Sequence, residues 1–404
     1  MTILGSSYDI PGTLYAQMAE FDRLTNQTKY KDMLKQYFAL TESTKPGFLD
    51  QLSVISFSTF WILLTDLDPL FFGLSYGYAA ALAYTIYQDP DFLALAATSW
   101  ASARRYTISE EQAVSGIMDT KQFTFPSSCK GATLTGGTYY ATDPNNTNIA
   151  SASSGFFLIL SALLAEAASS KTYIDAAVES ANFIQSQLLN PSNLVLGSIN
   201  PSTNCSVDLT PSRFSSGLFI EGLVILAEIT AYNASNYALL RSTIVAVATS
   251  SLWHGVNGVY DRADTGGHYI VRALASLYER NTTSSDLQEY IKEYIGVQYN
   301  SVIEHSRSSN ESNIYGGSCT GPPGTSFDNG AQNTALTALI SAIQLADNPA
   351  SSDIPTSSMS ASLPPQSSTG SASSSKKDFA GIIAGSVVGG ITLLAALIVG
   401  ALFL

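Results

Sequence analysis

Residues 155–164 read Gly-Phe-Phe-Leu-Ile-Leu-Ser-Ala-Leu-Leu, and after a polar turn residues 173–184 read Tyr-Ile-Asp-Ala-Ala-Val-Glu-Ser-Ala-Asn-Phe-Ile. The first stretch is apolar nearly all round, which a helix tolerates only where protein surrounds it. In the second, Tyr173, Ala176, Ala177, Ser180, Ala181 and Ile184 recur at i, i+3 and i+4 and leave a single face to bury. An enclosed helix followed by a one-faced helix is a hairpin with an inner and an outer arm.

The hairpin repeats along the chain. Enclosed, alanine-rich stretches open at Thr13, Gly77, Gly155, Gly217, Gly267 and Ala331, and one-faced helices are expected at 30–40, 92–105, 173–189, 237–249 and 287–303. Six inner and five outer helices predict an all-α (α/α)6 toroid within residues 1–349, short of one outer helix at its N-terminal end. No further helix follows Leu345 before a Ser/Pro-rich stretch, so the missing partner is expected upstream of Met1.

One segment interrupts the repeat. Leu52–Gly73 is strongly apolar, carries Asp66 and Asp68 ahead of Pro69, and is bracketed by Leu52-Ser53 and Leu74-Ser75. Two readings stand: an unspliced intron in the gene, or a genuine apolar insertion packed against a neighbouring surface.

The 404 residues hold 19 basic and 32 acidic side chains, a net charge of −13, which excludes the basic face that nucleic acid requires. Charged residues are 13% of the chain against a usual ~25%, so Ser, Thr, Asn and Tyr must dress the surface. His254, His268 and His305 have no metal-ligand spacing, and no Gly-x-Ser-x-Gly, Walker A or dinucleotide fingerprint occurs, so neither metal nor cofactor is expected. Of three cysteines, Cys129 and Cys205 fall in loops after outer helices and are the expected disulfide, with Cys319 left over, although spacing alone does not fix the pairing.

The C-terminal end points to a membrane. Residues 350–377 have the composition of a flexible stalk, and 378–404 form an apolar run long enough for a transmembrane helix or a GPI-type signal. Six N-glycosylation sequons, at Asn26, Asn145, Asn204, Asn233, Asn281 and Asn310, agree with an extracellular domain anchored at the plasma membrane. The first ten residues lack the form of a signal peptide, so the expectation is that one is missing from this chain.

Thr135-Gly-Gly-Thr-Tyr-Tyr140, then Ala152-Ser-Ser-Gly-Phe-Phe-Leu-Ile-Leu-Ser-Ala-Leu-Leu164, then Ser216-Gly-Leu-Phe-Ile-Glu-Gly-Leu223 stand in an order and spacing that resembles glycoside hydrolase family 76, over roughly Thr13 to Leu345. The resemblance is to the six-hairpin glycosidases and, within the family, to its fungal, membrane-anchored branch. It implies an (α/α)6 barrel acting on α-1,6-linked mannan or a related cell-wall polysaccharide, as an endo-α-1,6-mannosidase or a transglycosidase. It also implies two adjacent aspartates at the start of the second inner helix. That position is Leu74-Ser75 here, and no adjacent Asp pair occurs anywhere in the chain.

A glycosidase commonly works with two carboxyls. Substitutes to consider are Asp50, which approaches the helix start if 52–73 is spurious; Asp143, after the Gly136-Gly137 turn; and Glu221, inside an apolar helix with Arg272 as a possible ion-pair partner. Asp66 and Asp68 read first as a turn. Tyr76, Tyr78, Tyr139, Tyr140 and His268 are expected at or near inner-helix starts, either as a sugar-stacking funnel or as core aromatics. Two functions remain open: a mannan-active enzyme, and an inactive relative that binds wall glycan.

Overall fold

The computed structural model describes residues 9–49, 69–230, 234–260, 266–280, 284–309, 312–316, 321, 323 and 326–345. In chain order its helices are α1 (Asp9–Leu24), α2 (Lys31–Thr44), α3 (Leu70–Tyr87), α4 (Pro90–Arg104), a short α5 (Glu110–Ser115), α6 (Ser151–Ala168), α7 (Lys171–Phe183), α8 (Arg213–Ile229), α9 (Ala234–Ala248), α10 (His268–Arg280), α11 (Ser285–Ser301) and α12 (Asn329–Ile343). Two short strands, β1 (Ser128–Cys129) and β2 (Ala132–Thr133), pair as a hairpin. Three more, β3 (Ile149–Ala150), β4 (Leu196–Asn200) and β5 (Ser206–Pro211), form an antiparallel sheet in that order.

The enclosed helices α1, α3, α6, α8, α10 and α12 pack each against the next, and α12 closes on α1 to complete the ring of an (α/α)6 toroid. Helices α2, α4, α7, α9 and α11 are the five outer arms among the described residues. Burial follows the sequence pattern. In α6 every residue from Ser153 to Ala165 is buried, whereas in α7 only one face is. By length and composition α6 could cross a membrane, yet 78% of it lies inside the protein, as the inner arm of a hairpin should.

Local chemistry sets the helix ends. Asp89 accepts from Asp91 N–H with Pro90 at the first helical position of α4, and Ser109 with Gln112 forms a capping box on α5. Ser212 accepts from Ser215 N–H at the start of α8, and Asp328 from Ala331 N–H at that of α12. Space requires glycine at several positions, and two of them seat one element on another. A Cβ on Gly217 would stand 2.5 Å from the Tyr269 carbonyl carbon, so glycine lets α8 and α10 touch. Gly136 has φ +86° and a virtual Cβ 2.2 Å from Glu179 O, which seats the Gly136-Gly137 turn on α7.

The second inner helix begins earlier than its sequence pattern suggested. Leu70–Gly73, the end of the interrupting apolar segment, forms the first turn of α3, because Leu70 is buried and Gly73 packs on the Phe48 carbonyl. Residues 50–68, the stalk at 350–377 and the apolar run at 378–404 lie outside the described residues. Cys129 on β1 is disulfide-bonded to Cys205, just before β5, across 76 residues, with Cα atoms 5.6 Å apart. Cys319 lies outside the described residues.

Candidate functional site

The middle of the ring is held by three side chains from three inner helices. Tyr78 of α3 donates its hydroxyl to Glu221 Oε1 of α8 at 2.7 Å. Arg272 of α10 donates Nε to Glu221 Oε2 at 2.8 Å, and its Nη2 stands 2.8 Å from the same oxygen without the alignment of a second hydrogen bond. The guanidinium also lies over two rings, 4.3 Å from the Tyr78 centroid and 4.6 Å from that of Tyr269. Glu221 is 3% exposed, and both its oxygens are engaged. Burial pushes the Tyr78 phenol well above its usual value, outweighing the nearby Arg272, so it remains a donor. These contacts make a cross-brace that fixes Glu221 as an acceptor.

On one side of the brace lies a cavity of about 650 Å³. Its walls come mostly from the C-terminal halves of the six inner helices, which run the same way, with Thr13, Ala16 and Arg272 reaching it from nearer their helix starts. Its charged rim is arranged in two forks. Arg23 donates to Glu20 through Nε at 2.9 Å and Nη2 at 2.6 Å, and holds Glu279 from the other side, Nη2 to Oε2 at 2.6 Å. Arg280 grips Glu166 with both terminal nitrogens, at 2.7 and 3.1 Å, and also bonds Glu228. Burial raises the Glu279 carboxyl above its ordinary value against the opposing pull of Arg23.

On the other side, where the inner helices start, the ring is filled with aromatic side chains. Phe71, Phe214 and Tyr269 each occupy the second position of their helices, α3, α8 and α10. Phe214 meets Phe71 at 5.5 Å and Tyr269 at 4.3 Å between centroids, edge to face, and Phe156 of α6 adds contacts of 5.9 Å to Phe214 and to Tyr269. Tyr140, 38% exposed, extends this cluster outward, 6.4 Å from Phe71, and its carbonyl accepts the Leu70 N–H at 2.7 Å. The segment carrying it is pinned by Lys121. The Lys121 ammonium donates to Ala141 O at 3.0 Å and Asp143 O at 2.8 Å and lies 4.4 Å from the Tyr139 centroid. Burial lowers the Lys121 pKa to about 8, with Asp143 opposing the shift.

The residues singled out in the sequence are thus dispersed. Tyr78 and Glu221 meet in the brace, and Tyr140 reaches the N-terminal face. Tyr76 is a core ring between Tyr15 and Phe48, at 5.5 and 5.8 Å, because α3 starts at Leu70 and places it almost two turns in. Tyr139 is fully buried beneath Lys121. His268 opens α10, tilts onto Tyr269 at 4.2 Å and approaches Thr334 Oγ1 at 3.4 Å. Burial, reinforced by Arg272, lowers its pKa to about 3 and leaves it neutral. Asp143 Oδ1 accepts from Asn145 N–H at 2.9 Å, closing a surface turn rather than facing Glu221. Leu74 and Ser75, where the family resemblance put an acid pair, are buried in α3.

Asn26, Asn145 and Asn204 are exposed, as a glycan requires. Asp50, Asp66, Asp68, Asn233, Asn281 and Asn310 lie outside the described residues. Sequence reasoning passed over Phe71, Phe214, Lys121 and the Arg23 and Arg280 forks. The recurrence of an aromatic residue at the second position of three inner helices was a visible signal for the first two.

The sequence profile of Glycosyl hydrolase family 76 matches residues 10–268. Sequence comparison with curated proteins gives no match. Among solved structures, the chain is similar to an α-1,6-mannanase of Salegentibacter sp. HEL1_6, described as an inactive variant with two adjacent aspartates changed to alanine, in complex with α-1,6-mannotetrose. The TM-score is 0.66 at 14% identity, over 84% of this chain and 89% of that one. It is also similar to a family 76 mannosidase from Bacteroides thetaiotaomicron, at TM-score 0.59 and 13% identity over 83% and 87% of the two chains. A third relative is Dfg5 from Chaetomium thermophilum in complex with glucosamine, at TM-score 0.58 and 13% identity over 82% and 79%. At these identities the likeness is one of fold.

Proposed function

Because the chain belongs to glycosyl hydrolase family 76, we propose that it is a cell-surface member of that family. It binds α-1,6-linked mannan, or a related wall polysaccharide, on the N-terminal face of its toroid, and does not cleave it through an acid pair on α3. The observation that carries this reading is the occupancy of that face. Leu74 and Ser75, where the family resemblance puts the acid pair, are buried in α3, and Phe71 at the start of the same helix packs against Phe214 and Tyr140 on that face.

Sugar rings stack their C–H faces on such aromatic surfaces, whereas glycosidic cleavage calls for two carboxyls flanking the bond. Of the carboxylates lining the cavity, Glu221 sits in the middle of the ring and the others toward its opposite end, and all are held by arginines. The ligand class rests on the relatives, one of which is described in complex with α-1,6-mannotetrose. The stalk at 350–377 and the apolar run at 378–404 would hold the domain at the membrane, its glycans on the sequon asparagines.

A hydrolytic reading rests on Asp50, Asp66 and Asp68, which precede α3 in the chain. Calorimetric titration of the full chain with α-1,6-mannotetraose separates the two when paired with product analysis. The proposal expects binding that weakens at least tenfold in Phe214→Ala and no new reducing ends. Reducing ends that vanish in Asp50→Asn would establish the hydrolase instead.

A further inference from the structure

Of the three sequons whose asparagine is described, only Asn204-Cys205-Ser206 carries a cysteine, and that cysteine is disulfide-bonded. We infer that Asn204 is an N-glycosylation site gated by the disulfide. The asparagine is modified while Cys205 is a free thiol, and closure onto Cys129 ends the modification. The inference rests on entry of the chain into the secretory pathway and not on what the toroid binds.

In the folded chain the sequon is held at each residue. Asn200 Oδ1 accepts the Ser202 N–H at 3.0 Å and starts a single turn, Pro201–Thr203. Asn204 and Cys205 follow with left-handed φ of +54° and +56°, and Ser206 opens β5 opposite Asn200, its hydroxyl against that of Thr203. Cys205 is tied to Cys129, which is fully buried and whose carbonyl is held by Gln187 Nε2 at 3.1 Å. A transferase must take the asparagine amide and the serine hydroxyl together into its own cleft. Here that means stripping Ser206 from the ladder and pulling the chain against the disulfide. Asn26, between α1 and α2, and Asn145, in a turn closed on Asp143 Oδ1, have no cysteine in their sequons.

Synthesis makes the two reactions compete. Cys129 precedes Cys205 by 76 residues and so emerges first. At roughly 5–20 residues per second its lead is about 4–15 s, and disulfide closure takes seconds or longer. Neither reaction outruns the other by a wide margin, so the folded chains are a mixture. Asn204 is exposed, so a glycan attached first stays in solvent and leaves closure free to follow.

Both steps balance. In the first, Asn204 Nδ2 forms a bond to the anomeric carbon of a lipid-diphosphate oligosaccharide, the carbon–oxygen bond to diphosphate breaks, and the amide loses a proton. In the second, the two thiols lose two protons and two electrons to the disulfide of an oxidoreductase, which leaves as a dithiol.

The test translates the full chain behind a cleavable secretion leader into microsomes and reads occupancy at Asn26, Asn145 and Asn204 by glycopeptide mass spectrometry. Cys129→Ser keeps the sequon and frees Cys205. The inference expects partial occupancy of Asn204 in the parent, and at least a twofold rise both in Cys129→Ser and in the parent translated with dithiothreitol. Asn26 and Asn145 should not change. Complete occupancy of Asn204 in the parent, or the same occupancy with and without the disulfide, overturns the inference. So does a parallel rise at all three sequons, which would make slow folding the cause. Absence of glycan at every sequon would defeat the inference together with the extracellular placement of the domain.

Discussion

Arg272 Nε lies 2.8 Å from Glu221 Oε2 where three inner helices converge, and the guanidinium stands over the rings of Tyr78 and Tyr269. The pair is enclosed, with side chains 15% and 4% exposed. Removing one partner strands the other charge, at about 3–5 kcal/mol, whereas replacing both with apolar groups of similar volume can be neutral. Glu221→Ala should therefore lower the urea-unfolding free energy by about that amount, and Glu221→Leu with Arg272→Met should recover most of it. A loss under about 1 kcal/mol in Glu221→Ala would show the brace to be incidental.

His268 gives a pH dependence with a definite sign. Its pKa is lowered to about 3 by burial, so between about pH 6.5 and 3 the unfolded chain takes up a proton that the folded chain refuses. Stability should fall as the pH is lowered through that window, by at most about 1.4 kcal/mol per pH unit from this group. Urea midpoints measured at pH 7 and pH 5 should differ less in His268→Gln than in the parent chain.

Lys121 acts at the other end of the scale. With a folded pKa of about 8 against about 10.4 unfolded, the burial penalty is full below pH 8 and is relieved as pH rises toward 10.4. The stability difference between the parent and Lys121→Met should thus shift in favour of the parent from pH 8 to pH 10. The same variant releases the carbonyls of Ala141 and Asp143. Hydrogen exchange should then quicken in residues 139–149, and mannotetraose affinity should fall several-fold.

The disulfide between Cys129 and Cys205 closes a loop of 76 residues' separation. On the chain-entropy account, restricting a loop of that size in the unfolded state contributes about 4 kcal/mol. Cys129→Ser with Cys205→Ser should lower the thermal midpoint by several degrees, measured against the oxidised parent.

The toroid was legible because its signal is repeated. The contrast between an enclosed stretch such as 155–164 and a one-faced stretch such as 173–184 recurs along the chain, and the structure turns it into inner and outer arms. Boundaries were harder, since Leu70–Gly73 is apolar in a way that suits an insertion as well as the first turn of α3. Part of the candidate site was legible too. Glu221 stood out as a carboxylate in an apolar helix, and burial demands the partner that Arg272 provides. The forks at Arg23 and Arg280 were not legible. Glu20 lies three residues from Arg23, but Glu279 and Glu166 are 256 and 114 residues from the arginines that hold them, and only closure of the ring unites them. Tyr76 and Tyr78 differ by two residues, about 200° around a helix, which sends one into the core between the arms and the other into the lumen.

The central claim is that this member of the family holds a mannan-type glycan without cutting it. The most direct measurement incubates the full chain with α-1,6-mannotetraose and resolves the products by chromatography, under conditions where calorimetry shows the sugar bound. The account predicts tetrasaccharide recovered intact, with no shorter or longer oligomers. Mannose, mannobiose or transfer products that accumulate in proportion to protein, and disappear in Asp50→Asn, would contradict it.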